Sequence, residues 1–157
     1  MRPAPRRPAA ALVAVLTGLA AGPVAGCGEP DPFERYCEVV REEQQALTTT
    51  LGEDDGSSGL LPALPTFERL EEVAPPDIAD DWSLVVQRLS TLADALADAG
   101  VDPAAYDATD PPDGVTEEQR EAIALATGSL AAEPVREALG VVQQQARDVC
   151  GTGLTLL

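Results

Sequence analysis

The stretch PDIADDWSLVVQRLSTLADALADAG, Pro76 to Gly100, decides the fold. Ile78, Trp82, Val85, Leu89, Leu92 and Leu96 recur in alternating steps of four and three. That spacing is one face of a helix, not the two-residue alternation of a half-buried strand. Gly100 followed by Val101 predicts a Schellman stop, in which a glycine takes the left-handed turn that ends a helix. Trp82 sits in the stripe and is read as core, with a ligand platform as the sharper alternative.

The same spacing continues upstream. LLPALPTFERLEEVAPP predicts a short helix with Leu64, Phe67, Leu70 and Val73 or Ala74 facing inward, stopped by Pro75-Pro76. Before it, GEDDGSSG (Gly52–Gly59) reads as a flexible acidic loop. An EF-hand calcium loop counted from Asp54 would need Glu at position twelve, where Pro65 stands. The segment DPFERYCEVVREEQQALTTTL opens with Asp31 as N-cap, Pro32 at the first helical position and Glu34 completing a capping box. Its stripe is Phe33, Cys37, Val40, Gln44, Leu47 and Leu51, with Gln44 the odd polar member at the boundary.

Downstream, DPAAY allows one helical turn from Asp102 to Tyr106, and DATDPPDG is irregular because proline and glycine interrupt it. Thr116 with Gln119 forms another capping box, starting a fourth helix that carries Gly128 inside it. Glu133-Pro134 either breaks that helix or begins the next. The last helix places Val135, Leu139, Val142, Ala146 and Val149 on one face, with Cys150 beside them and Gly151 as stop. The tail 152–157 is expected to fray, a docked edge being the alternative. No segment alternates with period two over a useful length. About five helices, three strongly amphipathic, predict an all-α bundle over residues 32–151.

The front end gives an address. MRPAPRRP carries three arginines and no acid, and the apolar run Ala9–Gly22 is too short for the roughly 20 residues of a spanning helix. These are the parts of a secretory signal peptide. The ending Val24-Ala25-Gly26-Cys27 resembles the bacterial lipobox. That resemblance implies diacylglycerol on the Cys27 sulfur, removal of residues 1–26 and a short tether, residues 27–31. Two acyl chains anchor stably where one does not. The expected localisation is the extracytoplasmic face of the cell membrane, with the lipid on Cys27 as the membrane contact. A plain signal peptide with an incidental cysteine, or an uncleaved helix, fits less of the pattern.

Residues 27–157 hold all 27 acids against seven arginines, a formal charge of −20, with no lysine and no histidine. Nucleic-acid binding draws most of its affinity from cations meeting phosphate, so it is not expected. Lying flat on an anionic membrane is disfavoured for the same reason. The acidity itself reads first as a solvated, self-repelling surface, and second as a surface for cations or a basic partner.

Two cysteines remain, Cys37 and Cys150, near the two ends of the exported part. An oxidising compartment and one possible intramolecular pairing predict a Cys37–Cys150 disulfide. Closing a loop of about 110 residues stabilises by on the order of 4–5 kcal/mol through lost chain entropy. Catalytic redox pairs usually sit close together, as in C-x-x-C; these two are far apart. The bond would join the start of the first helix to the end of the last.

Without histidine, Ser-His-Asp or Cys-His catalysis is impossible and the commonest zinc ligand is missing. No phosphate-binding glycine loop or HExxH is present, and no cofactor, metal or enzymatic activity is expected.

The pairs and strings YC in the first helix, APPDIADDW, DAGVDPAAYD and ARDVC are similar to those of small helical lipoproteins from high-GC bacteria, whose function is uncharacterised. The resemblance implies a disulfide-stapled bundle and no particular activity. Two functions follow as expectations. A non-enzymatic interaction or scaffold module for an envelope protein would expose an apolar or aromatic patch, with Tyr36, Tyr106, Leu60 and Leu61 as candidates. A small-molecule carrier would open an apolar cavity between helices, lined by Trp82, Gln44 and Gln145.

Overall fold

Ile78, Trp82, Val85, Leu89, Leu92 and Leu96 are all buried, and they set the axis around which the other helices pack. The computed structural model describes residues 31–53, 60–103, 112–154 and 156. The signal segment, Cys27, most of the Gly52–Gly59 loop and Tyr106 lie outside them. In chain order the helices are α1 (Pro32–Glu53), α2 (Leu64–Glu72), α3 (Ala79–Asp98), α4 (Glu117–Leu130) and α5 (Glu133–Cys150). A 3-10 turn, Leu61–Ala63, leads into α2. Among the described residues there is no strand.

The helix ends follow from local chemistry. Asp31 Oδ1 accepts the backbone N–H of Phe33 at 2.9 Å, capping α1. At α4 both halves of the capping box form: Thr116 Oγ1 accepts from the Gln119 N–H, and Gln119 Oε1 accepts from the Thr116 N–H. At the end of α3, Gly100 takes a φ of 67°, its N–H reaching the Ala97 carbonyl and that of Val101 reaching Leu96. Those two bonds are the Schellman pattern. Glu133-Pro134 begins α5, where a proline costs no helical hydrogen bond, and Gly151 ends it at a φ of 64°.

α3 packs against α2, α4 and α5, while α1 packs against α2 and α5. The main core draws on α1, α2, the first half of α3 and α5. A smaller one, Leu92, Leu96, Ile123 and Ala126, joins the second half of α3 to α4. Cys37 and Cys150 are bonded, their Cα atoms 5.0 Å apart, fastening α1 near its start to the last residue of α5.

The structure keeps Cys37, Val40 and Leu47 of the expected α1 stripe inside, with Leu51 packed against the core, and corrects its other two members. The inward positions of α1 are Tyr36, Cys37, Val40, Glu43 and Leu47, whereas Phe33 is 36% exposed and Gln44 faces solvent. Glu43, only 7% exposed, shares that face because it meets Arg69 of α2 and accepts the Thr66 hydroxyl at 3.3 Å. A charge with partners is tolerated inside; without them it is not. On α5, Val149 is 46% exposed and Ala138 takes an inward place instead. Among its described residues, the tail after Gly151 is docked. Leu154 and Leu156 are buried in the main core, and Gln44 Nε2 donates to the Gly153 carbonyl at 3.3 Å.

Candidate functional site

The sequence offered Trp82 as a possible ligand platform, and the structure encloses it. Its indole is fully buried and lies 5.6 Å, centroid to centroid, from the Phe67 ring in a tilted arrangement. The Trp82 Nε1–H donates to the Tyr36 hydroxyl at 3.1 Å. Tyr36 is thus a core residue, which removes it from the exposed patch expected of it. Its hydroxyl is pushed up to about 12, chiefly by burial and further by the negative charge of Asp77, against the opposing effect of the Trp82 bond.

Gln145 Nε2 donates to Asp77 Oδ2 at 3.1 Å, tying α5 to the turn before α3. Gln44 instead donates to the Gly153 carbonyl after α5. Trp82, Gln44 and Gln145 therefore have separate partners, and none of the three lines the groove between α3 and α4 or the hollow along α4. Leu60 and Leu61 are half-buried against the core rather than forming a free patch. At the start of α3, burial and then the neighbouring Asp80 raise the Asp81 carboxyl above its usual range. No group of three or more metal-ligating side chains occurs among the described residues. None of the described helices is long and apolar enough to cross a membrane.

A site that the sequence reading missed lies between α3 and α4. A groove of about 530 Å³ runs along Thr91–Asp98 of α3 and Glu118–Ser129 of α4. Its apolar lining is Ala126, which is buried, half-buried Ala95, and exposed Ala122 and Leu125, and its charged members are Asp94, Asp98 and Glu118. Leu125 is 69% exposed, the most exposed large apolar side chain among those described. The groove exists because α4 buries little: Ile123 and Ala126 face the small core while alanines and Leu125 remain outside. Gln119 braces one end, its Nε2 donating to the Asp98 carbonyl at 3.0 Å. The one arginine of α4, Arg120, is paired with Glu117 and lines a separate hollow made by α4 alone. A weak helical stripe with one Leu off it was the only sequence signal for this face.

No family model matches the chain, and no curated protein or solved structure matches it.

Proposed function

We propose that the chain is a lipid-anchored lipoprotein on the extracytoplasmic face of the cell membrane, and that its stapled bundle is a non-enzymatic interaction or scaffold module. The bonding of Cys37 to Cys150 behind a leader that ends in Val-Ala-Gly-Cys carries this reading. Structural disulfides persist in oxidising compartments, which is where such a leader would deliver the domain. The lipid on Cys27 holds the chain to the bilayer, while a domain charged −20 is repelled from anionic headgroups and stands away from them.

The enclosure of Trp82 favours the module over the carrier, because the side chain best suited to hold a small molecule is spent on the core. A partner therefore meets the bundle on its outside, and an envelope protein is the partner class that such an anchor brings within reach.

Mass spectrometry of protein extracted from membranes tests the anchor. The expected species begins at an acylated Cys27 and lacks residues 1–26; a Cys27→Ser variant is expected in the soluble exported fraction. If that variant stays with membranes as the parent does, the anchor reading fails.

A further inference from the structure

We infer that the groove between α3 and α4 is a docking surface for a cationic amphipathic helix of a protein partner. The inference rests on the interaction-module reading and names the contact face and partner chemistry.

Apart from Leu125, the apolar lining of the groove is alanine. Ala95 and Ala122 let another backbone approach closely, and Leu125 stands 69% exposed where it can enter a partner's apolar stripe. The α4 side of the groove, Glu118 to Ser129, covers about three helical turns, the length over which a helix presents several i, i+3, i+4 anchors.

Charge selects the occupant. Asp94, Asp98 and Glu118 are the charged groups of the groove, and none of them takes part in an ion pair among the described residues. Asp94 and Asp98 stand one turn apart on α3, so a helix with arginine or lysine beside its apolar stripe meets them while its stripe covers Leu125. A second copy of this chain brings the same negative charge and is repelled. An anionic lipid surface is repelled likewise, leaving a basic protein segment as the complement.

The test uses the full mature chain, residues 27–157, in detergent at physiological salt. The probe is a labelled synthetic peptide of about 18 residues, with leucines in four-three spacing flanked by arginines. A shuffled peptide of identical composition is the control. The periodic peptide is expected to bind about tenfold more tightly than the shuffled one. Leu125→Ser, and separately the pair Asp94→Asn/Asp98→Asn, should each weaken it by about tenfold. The pair Glu68→Gln/Glu72→Gln, exposed on α2, should change it less than about twofold.

Equal binding of the two peptides, or equal losses from the α2 and α3 pairs, would show only the general attraction of a polyanion for cations and overturn the proposal. So would no binding at all. Acylation of Cys27 and membrane fractionation are read independently of the peptide, so loss of the groove leaves the anchor reading standing.

Discussion

The indole N–H of Trp82 donates to the hydroxyl of Tyr36, 46 residues away, inside the core where α1 meets α3. Both side chains are fully buried, so this bond satisfies a donor that water cannot reach. Tyr36→Phe should leave the indole unsatisfied and lower unfolding free energy by about 1–3 kcal/mol in urea denaturation. Adding Trp82→Phe should cost less in that background than in the parent, because the two residues share one interaction. Strict additivity would mean the bond contributes nothing.

Alkaline pH should weaken the fold through the same tyrosine. Its hydroxyl is raised from 10.0 to about 12, so the unfolded chain releases the proton first. The contribution is fully present below pH 10 and is lost as pH climbs to about 12, in total about 2–3 kcal/mol. Stability curves at stepped pH should show this fall in the parent and a flatter profile in Tyr36→Phe.

Glu43 and Arg69 should behave as a partnered charge. Arg69→Ala leaves the carboxylate inside with Thr66 and, being half-exposed at the arginine end, should cost about 1–3 kcal/mol. Glu43→Leu combined with Arg69→Ala should regain part of that loss, because no buried charge then remains. Thermal melts of the parent, single and double variants decide it; a double variant worse than Arg69→Ala would contradict the account.

Reducing the Cys37–Cys150 bond frees a span of 113 residues. Loop-closure entropy puts the loss at up to about 4–5 kcal/mol, native-state relaxation making the measured value smaller. Urea unfolding with and without reductant, compared with Cys37→Ser/Cys150→Ser, should give matching losses. No loss in either would mean the helices hold these ends together without the bond.

α3 was legible, all but the buried Val86, because six apolar residues repeat without a gap and a glycine marks the stop. The α4 capping box was legible for a similar reason: Thr116 and Gln119 act within one turn. α1 was misread at two of its six stripe positions, Phe33 and Gln44. Spacing alone preferred Gln44 to Glu43 inside the stripe, and only Arg69, 26 residues downstream, makes a carboxylate acceptable there. The tail defeated periodicity because Leu154 and Leu156 follow two glycines in a run too short to show a period. The α3–α4 groove had almost no local signature, since it is made by how far α4 fails to cover α3. Tyr36 was placed outside because the stripe was drawn one residue away from it.

The staple also decides how the bundle bears load. Tension applied between the start of α1 and the residues after α5 runs through Cys37 and Cys150 along covalent bonds, and the intervening helices carry none of it. The oxidised domain therefore cannot lengthen between those two cysteines. Reduction would turn the same 113-residue span into slack able to pay out on the order of 370 Å when pulled straight.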